Sequence, residues 1–174
     1  ATDLFTFYIC WESVLIPMLL MIGIWGGSQR VYAAQKLFLF TMAGSLPLLG
    51  ALLALSWNGA LFETDLGRLT VQLAQNPVPA WAFWAMALAF AIKLPLIPLH
   101  TWLPDAHTEA PTAGSVILAG VMLKMGTYGF LRLAFPFYPG STLGASEILG
   151  WVSALGVVWG ALMALAQTDI KRLI

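Results

Sequence analysis

Three ionisable residues lie in the middle of long apolar segments of this 174-residue chain. Glu12 is near the centre of the apolar run 4–25, and Lys93 and Lys124 are deep inside two later runs. Each charge at the centre of a membrane helix costs about 2.5 to 3.5 kcal/mol on insertion scales. We therefore expect all three side chains to meet protein or water rather than lipid, in a polar file that crosses the helix bundle.

Proton transfer is the chemistry that suits such a file. Burial weakens the hold of a lysine on its proton, whereas a neighbouring carboxylate strengthens it. If Lys93 contacts Glu12 in one state and Lys124 in another, its proton affinity rises in the first state and falls in the second. The three residues thus predict a proton relay. The alternative is a buried ion pair between Glu12 and one lysine that only holds the helices in register.

Two prolines close to Lys93 predict an interrupted helix. Pro95 and Pro98 have no N–H, so a continuous helix would leave the carbonyl groups of Ala91 and Leu94 without donors. In a membrane, irregular backbone survives only where it is packed inside protein or lines a wet cavity. The segment is therefore expected to be a polar, hydrated break in mid-membrane.

The composition is that of a membrane protein. Hydrophobic residues make up 60% of the chain and charged residues 9%, whereas soluble domains carry roughly 25% charged residues. A net charge of zero, with scattered basic residues, does not indicate a nucleic acid partner.

The single Cys10 excludes an internal disulfide and an all-cysteine iron–sulfur cluster. His100 and His107 are poorly spaced for a metal site on a helix, and no metal or cofactor site is expected in this chain.

The apolar runs predict an all-α membrane protein with five transmembrane helices, one of them discontinuous. The expected spans are 4–25, 33–57, 78–99 with a break near 93–98, 112–133, and 147–167. Pro17 predicts a further weak point within about one turn of Glu12, because it cannot donate to the carbonyl group of Ser13. The chain as a whole is expected to be one bundle and an internal piece of a longer subunit.

Three polar or proline-rich segments predict connections, namely 58–79, 101–111 and 135–146. The first is expected to contain a short amphipathic helix on the membrane surface, capped by Thr64 or Asp65. The second is expected to be an elbow in which Pro104 and Pro111 hold Leu103 and Ala110 extended. Asp105 and Glu109, just before the fourth span, are expected to cap its helix or to anchor a loop.

The distribution of basic residues predicts an orientation in the membrane. One side carries Arg30, Lys36, Lys171 and Arg172, and the other carries Arg68 and Arg132. The first side is therefore expected to be cytoplasmic or matrix-facing.

Lys36, one turn inside its helix, is expected to reach the lipid headgroups. Small residues around Lys124 predict that it faces other helices, and most tryptophans are expected to be interface anchors.

A family resemblance is carried by the central stretch KLPLIPLHTWLPDAHTEAPTAGSVILAGVMLKMGTYGFLRL. It is joined, in order along the chain, by WESVLIPMLLMIGIWGG, AAQKLFLFT and AQTDIKRLI. Together these motifs resemble the antiporter-like membrane subunits of respiratory complex I, of the type called subunit M or subunit 4. Those subunits contain two inverted five-helix repeats, and the motifs here cover one of them.

The resemblance implies a proton-translocating subunit of NADH:quinone oxidoreductase that has no redox centre of its own. It places NADH, FMN, iron–sulfur clusters and quinone in partner subunits. It also implies a multi-pass protein of the bacterial plasma membrane or mitochondrial inner membrane, with other membrane-arm subunits of complex I as partners.

The resemblance also assigns residues to the relay by motif. Glu12 matches the essential glutamate of the family and Lys36 the lysine near it, while Lys93 matches the central lysine of the broken helix. Lys124 matches the lysine that leads toward the next half, and His100 matches a polar position beside the break.

Two other functional classes are compatible with these residues. Subunits of multisubunit cation/proton antiporters and of membrane-bound hydrogenases resemble the same core. A purely structural bundle, with buried charges that only fix helix packing, is the other alternative. That alternative predicts that Lys93→Met leaves proton pumping intact.

Overall fold

The computed structural model of the chain describes residues 2–57, 62–75 and 79–168, and most of these residues are helical. The helices are α1 (Leu4–Ser13), α2 (Leu15–Trp25), α3 (Arg30–Ser56), α4 (Leu66–Gln75), α5 (Ala80–Lys93), α6 (Trp102–Glu109), α7 (Thr112–Phe137) and α8 (Pro139–Leu165). Two π-helical turns, Leu118–Met122 and Phe130–Ala134, interrupt α7. The described ranges contain isolated β-bridges but no strand.

In the described part of the chain, four helical segments are long and apolar enough to cross a membrane. They are Leu4–Trp25, Arg30–Ser56, Thr112–Phe137 and Gly144–Leu165. The 14 residues of α5 extend about 21 Å, which is less than the bilayer core of about 30 Å. A span at this position therefore needs more than α5 alone. The predicted fold class, an all-α membrane protein with a discontinuous helix, is confirmed.

The first span is interrupted beside its acidic residue. Val14 separates α1 from α2 and is the only residue between them. The interruption lies three residues before Pro17, whose missing N–H leaves the carbonyl group of Ser13 without its helical donor. Glu12 is thereby placed in the last turn of α1, next to the interruption.

The broken segment after α5 supplies hydrogen-bond donors to two carbonyl groups at the end of that helix. α5 ends at Lys93, and residues 94–101 form turns before α6 begins. The amide of Leu96 donates to the carbonyl oxygen of Ala91 at 2.9 Å, and the indole N–H of Trp102 donates to that of Ile92 at 2.9 Å. The predicted break is confirmed, and the turn that replaces the helix reaches back by five residues, so Ala91 is not left without a donor. Buried irregular backbone is stable here because it is hydrogen-bonded within the protein.

Two segments predicted as connections are helical. Residues 102–109 form α6 instead of an elbow, and Leu103 is helical rather than extended, whereas Ala110 is extended as predicted. Pro104 lies in the first turn of α6, where a helix has no acceptor for the amide that proline lacks. The predicted loop 135–146 is also helical, because Pro139 is the first residue of α8 and its fixed φ angle suits that position.

The surface helix predicted within 58–79 is α4, and its cap is Asp65. The amide of Arg68 donates to Oδ1 of Asp65 at 3.0 Å. Asp3 caps α1 in the same way, accepting from the amide of Thr6 at 2.8 Å. Two hydrogen bonds lower the pKa of the Asp3 carboxyl. The larger effect comes from the Thr64 hydroxyl and the next from the Thr6 backbone amide. Residues 58–61 and 76–78 of the predicted segment lie outside the described residues.

Glycines let α3 and α7 approach α5 very closely. A Cβ atom at Gly44 of α3 would lie 3.2 Å from the Cα of Ala89, and one at Gly126 of α7 would lie 2.8 Å from the carbonyl oxygen of Phe90. Larger residues at these positions would push the helices apart. The two approaches enclose the last turn of α5, and this enclosure accounts for the burial of Lys93.

Two of the four basic residues that predict the cytoplasmic or matrix side, Lys171 and Arg172, lie outside the described residues. The orientation therefore stays a prediction.

Candidate functional site

Lys93 is a buried cation held by the end of α1. It is 1% exposed, and its Nζ donates to the carbonyl oxygen of Trp11 at 3.3 Å. The same nitrogen lies 4.3 Å from the centroid of the Trp11 ring. Trp11 is in the last turn of α1, where helical carbonyl groups lack intrahelical donors. A backbone oxygen and an aromatic face, rather than a carboxylate, are therefore the direct partners of this ammonium group.

Glu12, the residue after Trp11, has a buried carboxylate oxygen. Its Oε1 atom is inaccessible to solvent and has no hydrogen-bond partner among the described residues. The carboxylate interacts electrostatically with Lys93 and with Tyr8. The ion pairs found in the described ranges involve other residues, so no N–O distance within 4.0 Å joins Glu12 to Lys93. The structure brings the two residues together without closing a direct salt bridge.

Lys36 is paired with Asp105 of α6. Its Nζ lies 2.6 Å from Oδ2 of Asp105, and the two side chains are 21% and 30% exposed. The expectation that Lys36 reaches lipid headgroups is wrong. The reason is that residues 102–109 are helical and carry Asp105 to the beginning of α3.

The second carboxylate of α6 anchors the loop that precedes α3. Oε2 of Glu109 accepts from the amide of Gln29 at 2.9 Å, and the carbonyl oxygen of Glu109 accepts from the amide of Gly27 at 3.0 Å. Loop anchoring was one of the two roles predicted for Glu109. The other, capping of the following helix, is wrong, since α7 begins after Pro111 without a side-chain cap.

The register between the first two spans separates Lys36 from Glu12. The indole N–H of Trp11 donates to Oγ of Ser45 at 3.3 Å, and Gly23 packs against Ala34. The spans therefore run antiparallel, with Glu12 close to the level of Ser45. Lys36 is nine residues before Ser45, which corresponds to about 13 Å along the helix axis. The family position of Lys36 near the glutamate is thus not a direct contact here.

Lys124 points away from the helices that bury Lys93. It is exposed, whereas Gly126, two residues later, contacts α5. Two residues correspond to a rotation of about 200° around a helix, which puts Lys124 on the opposite face. The helices described here therefore leave Lys124 uncovered, and the expectation that it faces other helices stays a prediction.

His100 lies in the turns between α5 and α6. Its Nδ1 atom is buried and has no hydrogen-bond partner among the described residues. The residue lines a cleft of about 420 Å³ between these turns and α8, together with Pro95, Ser153 and Trp159. In the described ranges, no group of three or more His, Cys, Asp or Glu residues could hold a metal ion.

Two site residues were missed because tryptophans were expected at the membrane interface. Trp11 is 1% exposed and Trp102 is 0% exposed, so neither is an interface anchor. One signal was present in the sequence, because Trp11 lies beside Glu12 in the middle of a span rather than at its end. For Trp102, position directly after the proline break was the corresponding signal.

Comparison with known proteins decides the family. The family described as "NADH:quinone oxidoreductase/Mrp antiporter, TM" matches residues 1–174. The chain belongs to this family. The resemblance found in its motifs is thereby confirmed.

Relatives from bacteria and plants match almost the whole chain. It is 44% identical to NADH-quinone oxidoreductase subunit M of Rickettsia prowazekii (strain Madrid E), covering 99% of this chain and 35% of the relative. It is 45% identical to NADH-ubiquinone oxidoreductase chain 4 of Arabidopsis thaliana, covering 99% of this chain and 34% of that one. The chain thus spans about a third of the length of these curated relatives.

Solved structures share the fold. A chain of respiratory complex I from Thermus thermophilus with bound NADH superposes with a TM-score of 0.90 at 40% identity, over 99% of this chain and 37% of the matched one. An archaeal membrane-bound sulfane sulfur reductase superposes with a TM-score of 0.85 at 23% identity, over 99% of this chain and 36% of the matched one. The second likeness concerns the fold alone.

Proposed function

We propose that this chain is part of a proton-translocating membrane subunit of NADH:quinone oxidoreductase, in which Glu12 and Lys93 exchange protons. The observation that carries the proposal is the contact between Lys93 and the turn of α1 that bears Glu12. The names of relatives at 44% and 45% identity support the same complex. Quinone reduction, with NADH, FMN and iron–sulfur clusters, belongs to partner subunits in this proposal.

The surroundings of Lys93 suit a group that must both hold and release a proton. A carbonyl oxygen and an aromatic ring bind an ammonium group, but each does so less strongly than a carboxylate in direct contact. Glu12 is close enough to interact electrostatically and has an oxygen free to accept a proton. Transfer from the Lys93 ammonium to the Glu12 carboxylate leaves a neutral amine and a carboxylic acid, so no charged group is left buried by the step.

The two helices that carry the pair are both interrupted beside it. α1 ends at Ser13, one residue after Glu12, and α5 ends at Lys93 itself. Helix ends can shift with less loss of hydrogen bonding than helix interiors. We infer that small movements at these interruptions change the distance between Glu12 and Lys93 and so drive the exchange.

The remaining candidates have supporting roles in this proposal. Lys124, exposed on α7, passes protons toward a part of the assembly beyond this chain. His100 supplies a protonatable nitrogen at the cleft beside the break, and Lys36 is a charge held by Asp105. Other membrane-arm subunits of complex I are the expected partners, in a bacterial plasma membrane or a mitochondrial inner membrane.

A cation/proton antiporter subunit is the second candidate, because the family description includes the Mrp antiporters. The oxidoreductase is preferred on the names of the relatives. An antiporter would move protons in response to a sodium or potassium gradient without NADH. Proton uptake that requires NADH and stops with a quinone-site inhibitor would exclude it.

The test is to place Lys93→Ala in the complete complex and to measure NADH-driven quinone reduction and proton translocation. Loss of a proton-transfer group predicts a decrease of about tenfold or more in both. Lys93→Arg retains the charge but cannot release its proton, so it should be impaired as well. Met86→Ala removes another fully buried side chain of α5 and controls for truncation. Normal activity of Lys93→Ala or Lys93→Arg would refute the relay.

A further inference from the structure

Trp11 is held in one orientation by neighbours on several sides. It is 1% exposed, and its Nε1–H donates to Oγ of Ser45 on α3 at 3.3 Å. Its ring centroid is 5.4 Å from that of Phe90 in an edge-on arrangement and 5.7 Å from that of Phe7. A side chain packed in this way cannot turn its ring without disturbing three helices.

The fixed ring presents its face to the Lys93 ammonium. The 4.3 Å between Nζ and the ring centroid is well inside the limit of about 6 Å for a cation–π interaction, and tryptophan gives the strongest such interaction. The carbonyl oxygen of the same residue accepts a hydrogen bond from Nζ at 3.3 Å. Both contacts favour the protonated form of the lysine, since a neutral amine gains little from either.

We propose that Trp11 is a positioning residue that holds the protonated Lys93 ammonium at the end of α1, with Ser45 fixing the orientation of its ring. The inference rests on the proposed function, because it assigns Trp11 a part in the exchange between Lys93 and Glu12. Trp11 neither gains nor loses a proton. It sets how firmly Lys93 keeps its proton before transfer to the Glu12 carboxylate.

Among the charged groups of the described residues, Glu12 is the one that interacts electrostatically with Lys93. Tyr8, one turn earlier on α1, faces Glu12. On α3, Lys36 is about 13 Å from the level of Ser45 and is paired with Asp105 of α6. On α7, Lys124 and Arg132 are both exposed. The balance at Lys93 is therefore between Glu12, which accepts the proton, and Trp11, which stabilises the protonated lysine.

The test is the pH dependence of NADH-driven quinone reduction in the complete complex. Trp11→Leu removes the aromatic face and should shift the alkaline limb of the profile to lower pH by about 0.4 to 1.5 units. Trp11→Phe keeps a weaker aromatic face and should shift it less. Ser45→Ala leaves the indole packed against Phe7 and Phe90 but removes the hydrogen bond that helps to orient it, so a smaller shift in the same direction is expected. Trp25→Leu, which replaces a tryptophan that is 67% exposed, is the control and should leave the profile unchanged.

Two results separate failure of this inference from failure of the proposed function. If Lys93→Ala is inactive but Trp11→Leu keeps the wild-type pH profile, Trp11 only fills space. Full activity of Lys93→Ala would instead refute the relay itself. If Trp11→Leu fails to assemble, an unshifted profile in both Trp11→Phe and Ser45→Ala overturns the inference.

Discussion

The charged residues of this chain differ in what neutralises them. Lys36 has a carboxylate in direct contact, whereas Lys93 has a carbonyl oxygen and a ring. A direct ion pair fixes the protonation state of its lysine, but weaker partners allow it to change. This difference suggests a structural charge at Lys36 and a mobile proton at Lys93.

The pair between Lys36 and Asp105 should therefore support structure more than transfer. Asp105→Asn is expected to weaken the contact between α3 and α6 by about 1 to 3 kcal/mol, because it leaves a partly buried lysine without its counter-charge. The measurement is the thermal stability of the purified complex, with proton translocation at permissive temperature staying close to wild type. The double variant Lys36→Asp with Asp105→Lys should recover part of the lost stability.

The control for this prediction is the exposed pair of Arg68 and Glu63. The Arg68 side chain is 76% exposed and its nitrogen lies 3.4 Å from Glu63. Arg68→Gln should change stability by less than about 1 kcal/mol. An Asp105→Asn complex with normal stability, or one that assembles normally but no longer translocates protons, would contradict the structural role.

For single residues, the sequence predicts which charges are unusual but not all of their partners. Glu12 and Lys93 stand out because a charge in an apolar run must be compensated. Asp105 does not stand out, since its partner is 69 positions away and the intervening fold decides the contact. Trp11 was overlooked because residue type alone favours an interface position for tryptophan.

Among the helices, α5 is the element on which the others depend. Gly44 of α3 and Gly126 of α7 both touch its backbone close to Lys93. These contacts leave no space for a side chain. The position of the lysine is thus set by helix packing as much as by its own contacts.

Gly126→Ala should disturb this packing. The added Cβ would lie 2.8 Å from the carbonyl oxygen of Phe90 and 2.9 Å from the amide of Leu94, so α7 must move away from α5. Overpacking of this kind costs about 1 to 3 kcal/mol, and a lower melting temperature and lower proton translocation are expected. Gly120→Ala on the same helix has no atom within 4 Å of its Cβ and should behave as wild type. Equal stability of the two variants would show that α7 does not depend on this close approach.

The helices show where proline is informative and where it is not. The interruption after Lys93 follows from Pro95 and Pro98, because both would remove donors from the interior of a helix. Pro104 misled the prediction, since it lies in the first turn of α6, where proline is tolerated. Pro139 is likewise compatible with a helix, as the first residue of α8. Sequence alone does not separate these cases, because the distinction depends on where the helix starts.

The molecule as a whole leaves much of its apolar surface uncovered. An apolar stretch of 18 residues within Gly144–Leu165 has no buried residue. Lys124 is likewise exposed on α7. The relatives that match the chain are about three times as long. We therefore expect these faces to be covered in the complete assembly, and the small residues that predicted a covered Lys124 are consistent with that expectation.

The most direct test of the central claim is proton translocation by the complete complex carrying Glu12→Gln, Lys93→Met, or both. If the two residues exchange a proton, each single variant should translocate protons about tenfold more slowly or worse. The double variant should be no slower than the more impaired of the two single variants. Groups that act as a unit show this lack of additivity. Losses that multiply in the double variant, or wild-type translocation in either single variant, would contradict the account.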